Sequence, residues 1–537
     1  MSHHFLLRYT ITTLLLLCAS WTGLIGQSEV PSGLDERIND AFMPIATLWE
    51  DLIFISIPIG PVDIPIVLIL LIGGATYFTL YFKFINIRKL GMAIQVVRGK
   101  YDDPADQEQL DSPSSGDDDN SASGSVNHFQ ALATAISGTV GLGNISMVAV
   151  AISIGGPGAT FWMIIAGLLG MTSKFVECTL AVRYREIDRG DVYGGPMYYL
   201  KNGLSGPITR RFGHVLSIIY AVLCIGASFG GGNAFQSNQA TAQLITRFNI
   251  EGDMIGTVIG TIIAVLVGIV IIGGIKRIAR VTEKVVPFMA ALYVISALIV
   301  LAMNYSIVDD AIALILREAF TPKASITGGI SAVIIQGFRR AAFSNEAGAG
   351  SAAIAHAAVR TKHAASEGLV ALLEPLIDTV VICTITALVI VSYNIQEVFT
   401  YGDVVNDQVL INATGARVGG VNLTSMAFDA TIPGFSYLLS IAVTLFAFST
   451  IISWSYYGMQ SWAFLFGKSK AAAYSYKVIF LIFTVLGAAI SLEAVIKFSD
   501  AMILALVFPN MIGLICLRRQ VQEELKRYLR YIRRDIV

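Results

Sequence analysis

The sequence has little charge. Of its 537 residues only 14% are Asp, Glu, Lys or Arg, against 55% hydrophobic, where soluble domains carry about 25% charged residues. Such a chain cannot cover a soluble globule with polar side chains, and it reads as an all-α polytopic membrane protein. The formal net charge of −1 excludes the basic footprint of a nucleic-acid-binding surface. Cysteine is scarce as well. Cys18, Cys178, Cys224, Cys383 and Cys516 lie singly in apolar segments, which excludes a disulfide framework and a zinc site and leaves packing as their role. Histidine is sparse: His3, His4, His128, His214, His356 and His363 fall near span ends or tails. With no Ser/His/Asp set, metal motif or nucleotide fingerprint, the sequence offers no enzyme.

What is present is a series of long apolar runs. The first, "ITTLLLLCASWTGLIG" after Arg8, has the short apolar core of a signal peptide over residues 1–27, an uncleaved first helix being the alternative. The bulky Leu17 argues against lipid attachment at Cys18. Residues 28–60 then form an extracytoplasmic segment. A span needs about 20 mainly apolar residues, and eleven runs qualify: 62–83, 128–153, 160–182, 214–237, 254–273, 285–303, 328–350, 368–392, 434–453, 474–492 and 500–517. Lys and Arg concentrate in alternate loops, first in 61–100 (Lys83, Arg88, Lys89, Arg98, Lys100) and last in the basic tail 518–537. That asymmetry predicts an inner-membrane protein with its mature N-terminus outside and its C-terminus cytoplasmic. Residues 101–127, acidic and Ser-rich, read as a disordered cytoplasmic linker. Residues 393–433 read as a long outside loop, a partly ordered cap over an entrance.

Setting the first span aside, ten remain. The second begins in the cytoplasm and the seventh outside, so two halves of five (128–303 and 304–517) have opposite topology, the arithmetic of a five-plus-five inverted repeat. Helix-breaking glycine agrees. "SGTVGLGN" (137–144) interrupts span two, and "SNEAGAGSA" (344–352) interrupts span seven. Glycine costs about 1 kcal/mol against alanine in a helix, and broken helices at matching positions mark a transport site near the bilayer midplane.

A broken helix exposes amides that suit a carboxylate and carbonyls that suit Na⁺. Ser137, Thr139 and Asn144 add hydroxyl and amide oxygens beside the first break. Asn233, Gln236 and Asn238 add polar groups on span four, for a small zwitterion or for inter-helix bonds. Lys174 and Glu177 share a helix face three residues apart and are expected to pair. Glu374 and Asp378, four apart, are candidates for gating or cation coordination. Arg339, Arg340 and Glu346 are expected to pair with each other or with backbone as an inner-gate network. "GGPGATFWM" and "GGPMYYL" are turn chemistry.

"GTVGLGNISMVAVAISIGGPGATFWM", "GMTSKFVECTLAVRYRE", "GGPMYYL" and "AAFSNEAGAGSAAIAHAA" resemble the alanine or glycine:cation symporter family, within the amino acid–polyamine–organocation superfamily of LeuT-like fold. The resemblance covers most of 128–392. It implies a secondary symporter importing a small neutral amino acid with Na⁺, H⁺ being possible in the family. It implies a substrate cradle of Thr139, Gly141, Leu142 and Gly143 with Gln236, Phe343 and Asn345. It implies sodium ligands at Ser137 and Val140, with Cys383 and Thr384 completing that ion, and a second sodium ligand at Asn144. The sequence departs from the family pattern at Ser146-Met147, Ala349 and Ala353. A proton-coupled or uncoupled transporter or channel is the alternative function.

Overall fold

The computed structural model describes residues 33–59, 62–101, 125–188, 190–206, 209–323, 326 and 328–535. The predicted signal peptide and nearly all of the predicted linker 101–127 lie outside the described residues. In lipid an apolar run satisfies its backbone only as a helix, and helices form over every predicted span. Among the described residues seven are long and apolar enough to cross a membrane: Ala159–Arg183, Thr209–Phe248, Gly274–Met303, Ala364–Gln396, Phe435–Phe466, Lys470–Ala489 and Leu492–Arg533. The pair His128–Thr139 and Leu142–Gly155, bent by 55°, makes an eighth. The helices Ile66–Tyr81 and Ile255–Ile271 are apolar but shorter, and Gly329–Asn345, 17 residues long, carries Arg339 and Arg340. A rim of exposed apolar side chains, among them Val258, Ile262, Leu266, Phe288, Ile295 and Val478, gives the bundle a lipid-facing surface. Behind it Ile255–Ile271 packs on Lys470–Ala489 through Gly256, Gly260 and Gly268; a Cβ at Gly260 would lie 2.7 Å from that of Ala488, the close approach that small residues permit.

Two spans are interrupted where the glycine clusters predict. His128–Thr139 gives way to an extended Gly141, a single 3₁₀ turn over Leu142–Asn144 and a new helix Ser146–Gly155. Gly329–Asn345 ends on Glu346 in the left-handed region (φ 53°), followed by Gly348 at φ 96° and Gly350 at φ 80°, and resumes at Ala353–His356. Gly348 and Gly350 hold backbone that side chains resist, which explains that cluster. Two neighbouring spans widen into π-helix, at Gly230–Ala234 and Leu376–Cys383, a distortion frequent at functional sites.

The predicted loop 393–433 is folded. Strands Phe399–Val405, Gln408–Ile411 and Arg417–Gly419 pair antiparallel in sequence order, burying Phe399, Tyr401, Val409 and Ile411, and helix Gly420–Thr431 follows. The N-terminal helix Leu34–Ile53 straps three elements. Asp35 accepts from Gly256 N (3.0 Å) and Thr257 Oγ1 (2.6 Å), capping Ile255–Ile271; Asn39 accepts from Ser491 N (3.0 Å); Glu50 reaches Arg339 (3.1 Å).

Candidate functional site

The first break is buried and its freed amides are matched one by one. Gly141 N donates to Asn144 Oδ1 (2.9 Å), and Leu142 N donates to Gln236 Oε1 (3.0 Å). Gln236 Nε2 donates to Gly231 O (2.9 Å) inside the π-helical turn, which orients the amide. Thr139 bonds back to Ala135 O (3.2 Å). A Cβ at Gly141 would sit 2.4 Å from Thr450 Oγ1 and 3.1 Å from Gln236 Oε1, so only glycine fits. The second break lies against the first: a Cβ at Gly143 would touch Phe343 Cδ1 at 3.4 Å and Ser344 Cα at 3.6 Å. Phe343 stands edge-on to Phe235 with centroids 5.2 Å apart.

Asp378 joins the two breaks. Its carboxylate accepts from Asn144 Nδ2 (2.6 Å), Ser344 Oγ (2.8 Å) and Thr379 Oγ1 (2.7 Å). Asn345 Nδ2 donates to Thr379 Oγ1 (2.8 Å), and Asn345 Oδ1 accepts from Ala347 N (2.9 Å). Asp378 is thus a fully buried carboxyl whose hydrogen-bond donors among the described residues are all neutral. Burying a carboxylate without a positive partner is costly.

Of the predicted ion ligands, Cys383 belongs to this centre, its sulfur 3.3 Å from Ser344 Oγ and 3.4 Å from Asn144 Nδ2. Ser137 Oγ instead donates to Ser449 O (2.8 Å) on Phe435–Phe466. Val140 is buried at the end of the helical turn, its N–H on Ile136 O (2.6 Å). The Thr384 hydroxyl is buried without a partner among the described residues. Asn233 and Asn238 serve as inter-helix bonds, to Phe480 O (2.6 Å) and to Gly487 O and Ile490 O (3.1 and 2.6 Å).

Three sequence expectations are corrected. Lys174 does not pair with Glu177: it pairs with Glu374 at 3.0 Å, while Glu177 accepts from Gly348 N (2.8 Å) and Asn510 Nδ2 (2.9 Å), pinning the second break. Glu374 and Asp378 do not act together, because the π-helical stretch sends Asp378 to the breaks and leaves Glu374 with Lys174. The arginines are not an inner network with Glu346. Arg339 and Arg340 share Asp500 (2.8 and 2.9 Å), Arg339 also meets Glu50 and the Phe54 ring, and Arg340 Nη1 meets Met147 Sδ at 3.1 Å. They precede the break in their helix, on the side of the N-terminal strap. Glu346 lies beyond them and accepts from Ser351 Oγ.

On that same side Gly420–Thr431 closes over the first break. Thr424 Oγ1 donates to Ile145 O (3.0 Å), and Gln239 Oε1 accepts from both Ser146 Oγ (2.7 Å) and Val421 N (3.0 Å). Above this floor opens a cleft of about 510 Å³ lined by Gln239, Gln243, Arg247, Arg417, Asn422 and Asp429 among others. Asp500, Gln239, Thr424 and Thr450 were not singled out from sequence. Asp500 alone carried a signal, a carboxylate opening an apolar run.

Residues 55–536 match the model of the sodium:alanine symporter family. The chain is 35% identical over 465 residues to the sodium/alanine symporter AgcS of Methanococcus maripaludis, which covers 86% of this chain and 94% of that one. It is 32% identical over 461 residues to the amino-acid carrier protein AlsT of Bacillus subtilis, covering 86% and 88%. A crystal structure of a manganese transporter from Eremococcus coleocola superposes with a TM-score of 0.50 at 16% identity, over 74% of this chain and 82% of that one, a likeness of fold. With two interrupted helices meeting over a buried carboxylate inside an apolar bundle, the chain belongs to the sodium:alanine symporter family, whose members are secondary transporters and not enzymes.

Proposed function

We propose that the protein imports a small neutral amino acid, alanine or glycine, together with Na⁺ by alternating access. The observation that carries this reading is the meeting of the two broken helices over Asp378. The Gly143 amide, at the start of a half-helix, suits the substrate carboxylate, joined by Leu142 N when it leaves Gln236. Gln236 and the neighbouring break backbone address its polar groups. Phe343 and Thr450 pack closely on Gly143 and Gly141, a crowding that suits a substrate side chain of methyl size or none. Asn345 keeps the second break in shape through Thr379 and Ala347.

Na⁺ is a hard cation that prefers oxygen. One ion takes the Asp378 carboxylate with the Ser344 and Thr379 hydroxyls; Asn144, whose amide oxygen takes Gly141 N, holds that carboxylate through Nδ2 and is not itself a ligand. A second takes the carbonyls of Ser137 and Val140 with the Thr384 hydroxyl; the Cys383 thiol is too soft a ligand and lines the first ion's site. The eleven spans, the five-plus-five inversion and an outside N-terminus complete the reading, supported by breaks in the first member of each half.

Radiolabelled alanine uptake into proteoliposomes tests it. Accumulation above equilibrium under an inward Na⁺ gradient is expected, with glycine competing. Uptake indifferent to Na⁺ and unable to exceed equilibrium would sink the reading in favour of a facilitator.

A further inference from the structure

Apart from the Asp378 centre, five buried ionisable side chains stand in a row, each within 3.5 Å of the next. Lys174 Nζ bonds Glu374 Oε1 (3.0 Å); Glu374 Oε2 faces His356 Nε2 (3.5 Å); His356 Nδ1 meets Glu367 Oε1 (2.6 Å); Glu367 Oε2 meets His128 Nδ1. Four of the side chains are fully buried and His128 is 7% exposed. His128 opens the first interrupted helix and His356 ends the second. Glu367, on helix Ala364–Ala371, therefore holds the near ends of both, one with each carboxylate oxygen. Other ionisable groups face the chain. Near enough to act electrostatically are Glu177, Cys178 and Glu346 on Lys174, Tyr457 on Glu374, and Arg185 on Glu367.

Both ring nitrogens of His356 confront a carboxylate. A neutral imidazole has one N–H and one lone pair, so it aims a lone pair at one of them. His356 Nε2 and Glu374 Oε2 face each other at 3.5 Å without a hydrogen bond among the described residues. A second proton on the ring gives each carboxylate a donor. A positive ring also sits between two buried carboxylates, an arrangement in which buried charge is tolerated.

We propose that His356 is a proton-binding site of the transport cycle, its imidazolium clamped between Glu367 and Glu374, and that the proton leaves by way of Glu367 and His128 when the near ends of the two interrupted helices part. The N–H bond at His356 Nδ1 breaks as an O–H bond forms on Glu367, and the proton passes on to His128 or to water. His128, at 7%, is the least buried member of the chain. The proposal rests on the transport reading and adds a second exchanged ion at a site separate from the amino acid.

Calorimetry tests it. Alanine is titrated into purified protein in saturating NaCl, in phosphate and in Tris, buffers of very different ionisation enthalpy. Expected are heats that differ between buffers, and an H356Q protein that still binds alanine with equal heats. Equal heats for the wild type throughout the imidazole range, pH about 6 to about 8, overturn the proposal, as does an H356Q protein that keeps the wild-type difference. Should H356Q not fold, E367Q takes its place with the same expectation. An absence of any alanine heat counts against the amino-acid reading instead. The proton site is then read without ligand, as a Tm that falls from acid to alkaline pH more steeply in the wild type than in the variant. Equal slopes overturn it.

Discussion

At the scale of single residues, the site is a matter of fit around glycine and of one carboxylate. Gly141 has Thr450 Oγ1 where a Cβ would go, so Gly141→Val should insert and fold yet lose alanine binding, read as a vanished ligand-induced shift in Tm. Gln236→Ala leaves the buried Leu142 N–H without its acceptor, a loss of about 1–3 kcal/mol; alanine affinity should fall by roughly 5- to 150-fold at unchanged Na⁺ dependence. Asp378→Asn keeps the shape and removes the charge. Its half-saturating Na⁺ concentration should rise at least about tenfold, a hydrogen bond or contact to a charged group being worth about 1.5–3 kcal/mol; an unchanged Na⁺ titration would show that the cation binds elsewhere. Gln236 and Asn144 stand out in the sequence as polar side chains in apolar runs, whereas Phe343 was pointed to only by the family resemblance. Thr424, Gln239 and Thr450 were not legible: hydroxyls and amides are common in membrane helices, and only the fold shows which of them meets an orphan carbonyl or a glycine.

At the scale of elements, the glycine clusters announced both interruptions, because left-handed and extended backbone at that depth has few other sources. The pairing of Arg339 and Arg340 was misread because orientation along a span gives depth but not direction around the helix, and Asp500 lies more than 150 positions on. Removing one partner of a buried ion pair costs about 3–5 kcal/mol. Asp500→Ala should therefore lower Tm sharply, and the variant with both arginines and Asp500 replaced by apolar residues should recover most of the loss. Asp407, in the turn of the 399–411 hairpin, sits near the same group; burial lifts its carboxyl above the ordinary range, with Arg340 and Arg339 pulling it down. An acid raised in the folded state favours folding at low pH, and that contribution is lost as pH rises through its folded value. Asp407→Asn should flatten this part of the pH dependence of Tm on the acid side of neutrality.

At the scale of the whole molecule, hydropathy placed a helix over each apolar run, because the bilayer demands length and apolarity at once, but several helices run on well past the predicted ends, as Phe435–Phe466 and Gly274–Met303 do. It could not see that the basic tail is helical, Val507–Asp535 running on as one helix beyond the apolar run, or that 393–433 folds into sheet and helix, since neither is under the bilayer's constraint. The N-terminal strap was seen only as an exported segment. Deleting residues 34–53 removes the cap on Ile255–Ile271 and the Glu50–Arg339 contact, and should lower Tm while leaving the alanine and Na⁺ constants of the surviving folded protein within about twofold; a changed Na⁺ constant would tie the strap to the transport site. The strap and the three-stranded sheet have a practical consequence. They give one face of a molecule otherwise embedded in lipid or detergent a rigid polar relief, a shape by which single particles can be aligned and against which conformation-selective binders can be raised. That relief is bonded to the second interrupted helix through Glu50, and the helix that follows the sheet is bonded to the first through Thr424, so such a binder would report on the placement of both.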